Sequence, residues 1–171
     1  MKQKKPKRAS LPALINKADT VTSLFIRQKY ADSNGYVKCV SCSSVLHWKD
    51  AHCAHFIGRA AKATRWLEEN LHPACCSCNT FRKEYHMRGY TLFMVDFYGR
   101  EFVDELRQKE RKLLSPSQVR QLAEEAIDYY QSRAGSPGVQ PGDVERGTQS
   151  VPMCYNLAHE KDELLLSRAD A

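Results

Sequence analysis

The chain lacks any hydrophobic run long enough to cross a membrane, which takes about 18 consecutive apolar residues. The basic stretch at residues 1–8 is not followed by an apolar segment, so it is not organised as a secretory signal. Both absences favour a cytoplasmic protein with no membrane partner. Internal repeats are also missing. The 171 residues are enough for one domain of roughly 100–130 residues with an ordinary core, plus tails.

Positive charge is concentrated in the larger, N-terminal part of the chain. Residues 1–134 carry 23 lysines and arginines against 14 acidic residues, whereas residues 135–171 carry 3 against 6. A basic body is typical of a protein that binds a polyanion, because neutralised phosphates release their counterions. Many basic proteins bind nothing specific, however. Charge alone therefore makes binding of nucleic acid only one hypothesis.

Composition divides the chain into three parts. Residues 1–9 are expected to form a disordered basic arm, and residues 10–134 a single folded domain. Residues 135–171, which contain Gly-Ser-Pro-Gly and Pro-Gly, are expected to form a flexible acidic tail.

Four helices, one of them starting near Cys76, and one hairpin are predicted within the domain. Apolar residues at helical spacing predict a helix from Ser10 to about Tyr30 and another over 90–112, with Gly99 as a possible interruption. A Ser-Pro-Ser-Gln sequence at 115–118 is typical of a helix start with a capping box. Residues 36–40 and 45–48 have the alternation of a short hairpin. The segment 57–69 fits a loop or a short helix.

Two Cys-x2-Cys pairs indicate a metal site. Cys39 and Cys42 form the first pair, and Cys75 and Cys78 form the second after 32 intervening residues. Without a secretory signal, this spacing favours metal ligation over disulfides. Two such pairs can place four thiolates around one tetrahedral zinc ion, although four ordinary buried cysteines are the alternative. Cys76 is excluded as a ligand because it breaks the two-residue spacing.

Three polar residues follow the order that a ββα-metal nuclease requires. His55 lies where such a site has its general base, which takes a proton from water. Asn79, at the head of a predicted helix starting near Cys76, lies where a side chain binds the divalent cation that stabilises charge on the phosphate. Asn70 lies where an asparagine bridges the backbones of hairpin and helix. For His55 the alternative is a buried or zinc-proximal histidine.

The chain resembles the NinG/Rap family of lambda-like phages, which are Holliday-junction and branched-DNA endonucleases. The matching residues are Phe25-Ile26-Arg27, Cys39-Val40-Ser41-Cys42, Ala54-His55-Phe56-Ile57, Arg65-Trp66-x-Glu68-x-Asn70-Leu71-His72, Cys75-x2-Cys78-Asn79 and Val103-Asp104-Glu105-Leu106. The resemblance covers about residues 20–131. The arrangement of two cysteine pairs, with an asparagine directly after the last cysteine, is also similar to that of phage endonuclease VII, a more distant junction resolvase.

The resemblance implies an α+β, mainly helical fold in which helices flank a small, zinc-stapled, HNH-like ββα-metal core. It implies a structure-selective endonuclease of phage recombination, acting in the host cytoplasm on four-way junctions or other branched DNA with Mg²⁺ or Mn²⁺. Arg82 lies where relatives carry a lysine and would contact the scissile phosphate. A homodimer is a possible partner arrangement, because two opposed strands call for two sites related by two-fold symmetry.

The strand-side metal ligand departs from the family pattern. Three residues before the base, relatives carry aspartate or glutamine, and this chain carries His52. An imidazole binds divalent metals, although an oxygen ligand suits Mg²⁺ better. Asp50 is the nearest carboxylate and is expected to share the strand face of His52. His52 and Asp50 therefore both remain candidate ligands of the catalytic metal.

The predicted helix after the second cysteine pair would place four polar residues on one face. Asn79, Arg82, Lys83 and His86 have the spacing i, i+3, i+4 and i+7. On such a face, His86 is either a second metal-site group or a solvated surface histidine.

Basic side chains flank the predicted site on both sides in sequence. The predicted DNA-binding residues are Arg59, Lys62, Arg65, Lys83 and Arg88. They are expected to contact phosphates along a groove. The alternative is a basic loop that is merely solvated.

Two other functions compete with junction cleavage. One is a zinc-stapled DNA-binding module without catalysis, which would have no need for both His55 and Asn79. The other is an HNH endonuclease that nicks linear duplex. Residue spacing does not separate the second from a resolvase, so only the family resemblance favours branched DNA.

Overall fold

The structure is a computed structural model that describes residues 8–133. Within that range the chain forms four α-helices and four short β-strands. They are α1 (Leu11–Lys29), β1 (Tyr36–Lys38), β2 (Val45–His47), β3 (His52–His55), β4 (Leu71–Ala74), α2 (Lys83–Tyr98), α3 (Arg100–Glu110) and α4 (Pro116–Arg133). A 3₁₀ turn, Glu68–Asn70, precedes β4, and a π-helical segment, Ser77–Phe81, follows it. The basic arm, except for its last two residues, and the acidic tail lie outside the described residues.

Helices α1 and α4 pack against each other, and their caps are those that the sequence predicts. The Ser10 hydroxyl accepts the amide of Ala13 at 3.4 Å at the start of α1. At the start of α4, the Ser115 amide donates to the side-chain carbonyl of Gln118 at 2.9 Å, and the Gln118 amide donates back to the Ser115 hydroxyl at 3.4 Å. This reciprocal capping box satisfies helix-end groups that would otherwise lack partners.

Two separate two-stranded antiparallel sheets lie between α1 and α2 in sequence. β1 pairs with β2, and β3 pairs with β4 with His52 opposite Ala74 and His55 opposite Leu71. The Val40 amide donates to the carbonyl of Pro73 at 2.9 Å, which joins the first hairpin to the second. Such small hairpins are marginal alone.

The two faces of β3 contact different parts of the protein. Ala54 packs in the core cluster that contains Cys39, Cys78 and residues of α2 and α3. Cys53 packs with Ile26 of α1. Because side chains alternate along a strand, His52 lies on the face of Ala54, whereas His55 lies on the face of Cys53.

The helix after the second cysteine pair begins later than predicted. A π-helical segment carries Asn79, and Arg82 then leaves helical geometry with φ −111° and ψ 56°. α2 therefore starts at Lys83, and it ends at Gly99, whose φ of 87° is accessible to glycine. The predicted interruption at Gly99 is confirmed. The two helix starts predicted near Cys76 and at Tyr90 are both wrong, because a single helix, α2, begins at Lys83.

Helices and two small sheets together give a mainly helical α+β architecture, as the sequence predicts at that level. No helix in residues 8–133 combines the length and apolarity needed to cross a membrane.

Candidate functional site

Four cysteines meet between the two hairpins. The thiols of Cys39, Cys42, Cys75 and Cys78 all lie within 4.8 Å of one another. The first two follow β1 and the second two follow β4. Four thiolate sulfurs are the donor set of tetrahedral structural zinc, so the cluster can hold a metal such as zinc. Of the other described cysteines, Cys53 is buried in the core and Cys76 is exposed.

Local backbone geometry builds each half of this cysteine cluster. The Ser43 amide donates to the Cys39 carbonyl at 2.9 Å, in a turn that gives Ser43 a φ of 58°. In the second half, the Cys78 amide donates to the Cys75 sulfur at 3.4 Å. Burial raises the pKa of Cys42, but hydrogen bonds from Ser44, Cys39 and Cys78 outweigh it and lower that pKa to about 6. Cys42 thus favours the thiolate form that a metal ligand needs, whereas burial raises the pKa values of Cys39 and Cys78.

Helix α2 is fastened to the first cysteine pair through His86. The ring Nδ1 of His86 is hydrogen bonded to the Ser41 hydroxyl, which also donates to the His86 carbonyl at 3.1 Å. His86 is buried, while Arg82 and Lys83 are exposed. The predicted common face of Asn79, Arg82, Lys83 and His86 is therefore wrong, because the chain leaves helical geometry at Arg82.

Asn70 bridges the two ends of the loop between β3 and β4. Its side-chain oxygen accepts the Ile57 amide at 2.6 Å. Its amide nitrogen donates to the carbonyls of Ile57 at 3.0 Å and Thr64 at 2.9 Å. The side chain is fully buried and every bond reaches backbone. Asn70 thus bridges backbone groups within the β3–β4 loop, and within residues 8–133 its side chain makes no hydrogen bond to the helical segment that the sequence predicts as its partner.

His55 lies at the end of β3, close to α1 and the following loop. Its ring lies near the backbone carbonyl of Arg65. Burial, with the positive charge of Arg59, lowers the pKa of His55 to about 4. The imidazole is therefore neutral at pH 7, with one ring nitrogen able to accept a proton.

His52 and Asn79 meet on the other face of β3. The side-chain nitrogen of Asn79 lies 3.2 Å from Nδ1 of His52. Asp50 is exposed in the turn before β3, which begins at His52, so the expected sharing of a strand face does not hold. The structure therefore brings His52 and Asn79 together and leaves Asp50 outside the strand.

The predicted phosphate-binding residues divide into an exposed group and one buried member. Arg59, Lys83 and Arg88 are exposed, and Lys62 is partly exposed with its ammonium 3.2 Å from the Arg59 carbonyl. Arg65 is only 9% exposed, and its guanidinium is paired with an aspartate of α1. Arg65 is therefore not an exposed phosphate contact, since an ion pair already uses its side chain.

Sequence reasoning missed two exposed aromatic side chains that follow Asn79 in the sequence. Phe81 is 78% exposed and Tyr85 is 53% exposed. Exposed rings among cations are typical of surfaces that stack on nucleobases. The signal was present in the run Phe81-Arg82-Lys83, but a regular helix was assumed there.

A sequence model of the family described as Bacteriophage Lambda NinG protein matches residues 1–133. The chain belongs to the NinG family. Proteins named Protein ninG from Escherichia phage lambda, Escherichia phage 933W and Enterobacteria phage VT2-Sa are each 27% identical to it over 100 residues. These matches cover 57% of this NinG chain and 46% of each relative, so the chain spans about half the length of the curated relatives it matches. No solved structure matches the chain.

Proposed function

We propose that this NinG chain is a metal-dependent endonuclease that cuts branched DNA with His55 as its general base. The observation that carries the proposal is the state of His55, whose imidazole is kept neutral at pH 7 by its burial at the end of β3. A histidine prepared in this way can remove a proton from the water that attacks a phosphodiester. The chemistry is a hydrolysis that leaves two strand ends.

The Arg65 carbonyl lies near the ring of His55 and would act as its orienting group. A base–orienter pair is the arrangement that activates attacking groups in many hydrolases. The low pKa of about 4 keeps one ring nitrogen of His55 available down to mildly acidic pH.

His52 and Asn79 are the residues that would hold the catalytic cation. An imidazole and an amide are the donors offered there, a set that fits Mn²⁺ better than Mg²⁺, which prefers oxygen ligands. When bound, such a cation supplies a positive charge that stabilises the developing charge on the phosphate. The pair lies on the face of β3 opposite His55, so a cation held there would reach the phosphate from the other side of the strand.

The cysteine cluster and Asn70 supply the rigidity that these side chains need. The β3–β4 hairpin and the helical segment after it are joined through Cys75 and Cys78 at one end. Asn70 closes the loop that carries the Arg65 carbonyl. In this proposal the hairpin, the π-helical segment and α2 form an HNH-like ββα-metal core, with zinc in place of a large hydrophobic core.

Exposed cations and rings that follow Asn79 in the sequence form the proposed DNA surface. Arg82, Lys83 and Arg88 are exposed, and so are Phe81 and Tyr85 in the same segment. Cations bind phosphates of any sequence, whereas rings stack on bases that have left the duplex. Unpaired bases occur at branch points, which is why branched DNA is proposed. A two-fold dimer would supply one such surface to each of two strands.

The same exposed rings favour a second candidate, which is binding of branched DNA without cleavage. That function needs the DNA surface and the zinc but makes no use of a neutral, oriented His55. Nicking of linear duplex DNA is a third function, which the experiment must distinguish from cleavage and from binding of branched DNA.

The test is cleavage of a labelled four-way junction and of a matched linear duplex, with Mg²⁺, Mn²⁺ or EDTA. Wild type is expected to cut the junction in preference and only with added cation. His55→Ala is expected to lose cleavage by about a hundredfold or more while keeping junction affinity. His47→Ala, on β2, is the control and should cut like wild type.

Each alternative gives a different result in that assay. Binding without cutting by the metal-loaded wild type supports the binding module. Equal cutting of duplex and junction supports the nicking enzyme. Undiminished cutting by His55→Ala contradicts the assignment of the base.

A further inference from the structure

The hydroxyl of Tyr90, in the middle of α2, reaches the backbone of the β3–β4 hairpin. It donates towards two carbonyls, that of Asn70 at 3.2 Å and that of Ala54 at 3.4 Å. Tyr90 is fully buried, and its side chain packs in the same core cluster as Ala54. A single hydroxyl of α2 therefore contacts the chain on both sides of the hairpin, at the point where β3 ends.

These two carbonyls hold the peptide units before and after His55. The Ala54 carbonyl and the His55 nitrogen belong to one planar peptide unit. The Asn70 carbonyl accepts the amide of Phe56 at 2.9 Å, and that amide belongs to the peptide unit that follows His55. The Tyr90 hydroxyl thus fixes the first unit directly and the second through the Asn70 carbonyl.

The buried ring of His72 determines where the Tyr90 hydroxyl donates. Its Nδ1 lies 2.9 Å from the Tyr90 hydroxyl, and its Nε2 lies 3.2 Å from the Tyr98 hydroxyl. Because carbonyls only accept, every contact is satisfied when the His72 Nδ1–H donates to the Tyr90 oxygen and the Tyr90 proton faces the carbonyls. Nε2 then accepts the Tyr98 hydroxyl. Burial raises the pKa of Tyr90 well above its usual value, so the hydroxyl keeps the proton that it donates.

Tyr90 approaches β3 from the side away from the His55 imidazole. Side chains alternate along the strand, so Ala54 faces the core cluster that contains Tyr90, whereas His55 lies on the other face. The Tyr90 ring also packs edge-on against Phe56, with 5.3 Å between ring centroids. Tyr90 therefore supports the backbone of His55 from the core and leaves the other face to the imidazole.

We propose that Tyr90 is a positioning residue for His55, acting through the carbonyls of Ala54 and Asn70. This inference rests on the proposed function, because it concerns the placement of the proposed base. A strand end that shifts carries the imidazole with it, and a displacement near 1 Å costs about a hundredfold in rate. The middle of α2 thereby takes part in the reaction without touching the reacting atoms.

Tyr90→Phe removes the hydroxyl and keeps the ring that packs against Phe56 and His72. Tyr98→Phe is the matched control, because it removes the same atom from the same helix. The Tyr98 hydroxyl contacts His72 in the same network, whereas the contacts to the two carbonyls come from Tyr90. The comparison therefore separates support of the His55 backbone from general damage to the buried network.

The experiment measures single-turnover cleavage of a four-way junction and junction Kd for the full chain, with the backbone amides of His55 and Phe56 followed by nitrogen-15 NMR. We expect Tyr90→Phe to cleave about tenfold more slowly, part of the cost of a full 1 Å displacement, with Kd unchanged. The two amide signals should shift. Tyr98→Phe should match wild type in cleavage rate, Kd and both signals.

Two results would overturn the positioning role. One is a folded Tyr90→Phe variant that cleaves at the wild-type rate with unshifted amide signals. The other is an equal loss of cleavage in Tyr98→Phe, which would assign the effect to the buried network as a whole.

NMR of the wild-type protein decides the case in which Tyr90→Phe does not fold. The Tyr90 hydroxyl proton should be protected from solvent exchange and should give a nuclear Overhauser contact to the Phe56 amide proton, and a rapidly exchanging hydroxyl would overturn the inference. A wild type that does not cleave at all would refute the proposed function. The amide shifts in Tyr90→Phe would still decide whether Tyr90 holds the backbone of His55.

Discussion

The backbone of Gly89 on α2 lies directly against the carbonyl of Ser41 in the first cysteine pair. A Cβ built on Gly89 would be 2.3 Å from that oxygen, well inside any real contact distance. The neighbouring His86 hydrogen bonds to the Ser41 hydroxyl. Helix α2 can therefore reach the metal-binding turn only where it has no side chain.

Gly89→Ala is expected to destabilise the protein by about 1–3 kcal/mol, because the helix must move away from a backbone atom that cannot yield. The measurement is chemical denaturation of zinc-loaded protein. Gly58→Ala is the control, since a Cβ at Gly58 meets nothing within 4 Å. Equal stability of the two variants would contradict the close approach.

Cys78→Ser is expected to lose bound zinc, and with it the ordered hairpins, because three thiolates remain where four are needed. Metal analysis of purified protein should find about one zinc per wild-type chain and far less in the variant. Cys76→Ser is the matched control, since Cys76 is exposed and outside the cluster. A wild-type protein that is folded but contains no zinc would contradict the assignment of the four cysteines as zinc ligands.

Stability is expected to fall as the pH drops below about 6.5, partly through His72. Burial lowers the pKa of His72 to about 3, while in the unfolded chain it stays near 6.5. Between these values the unfolded chain binds a proton that the folded protein does not, so stability is full above 6.5 and is lost by about 1.4 kcal/mol per pH unit below it.

His72→Gln is the variant that isolates this effect. The His72 ring contacts the hydroxyls of Tyr90 at 2.9 Å and Tyr98 at 3.2 Å, and a glutamine amide offers both a donor and an acceptor in their place. The free energy of unfolding should depend less steeply on pH between 6.5 and 4 in His72→Gln. Other acid-sensitive groups, including the cysteines, are present in both proteins and cancel in the comparison. Parallel plots of unfolding free energy against pH for the two proteins would contradict the low pKa of His72.

Reversing the charge of Lys83 and Arg88 together is expected to weaken junction binding and to reduce its salt dependence. Each lost phosphate contact should lower the slope of log affinity against log salt by about 0.9. Binding titrations at several salt concentrations measure it. The control is the double variant Arg100→Glu with Arg111→Glu. These two arginines are exposed at the two ends of α3, so the variant makes the same charge change away from the proposed DNA surface. Equal loss in both double variants would point to net charge alone.

The parts of the fold that the sequence predicted are those set by local rules. Ser10 and the Ser115–Gln118 box predicted helix starts because a cap depends on residues three positions apart. The cysteine cluster was predictable from spacing, because the zinc ligand set requires two pairs.

The parts that it missed depend on distant contacts or on backbone geometry. Arg65 looked like a free cation, but its partner Asp19 is 46 positions earlier, and nothing in the spacing reveals that pair. The predicted common face of Asn79 and His86 required a regular α-helix from one residue to the other. A π-helical segment and the break at Arg82 instead change the directions in which the two side chains point.

The cysteine cluster also sets how much of the chain must be synthesised before the four thiols can meet. Its cysteines flank both hairpins, and the last of them, Cys78, follows all of the described strand residues. A nascent chain that ends before residue 78 holds an incomplete set of thiols and only two marginal hairpins. Binding of one metal ion by all four thiols would therefore require both hairpins to have left the ribosome, with α2 following them in the sequence.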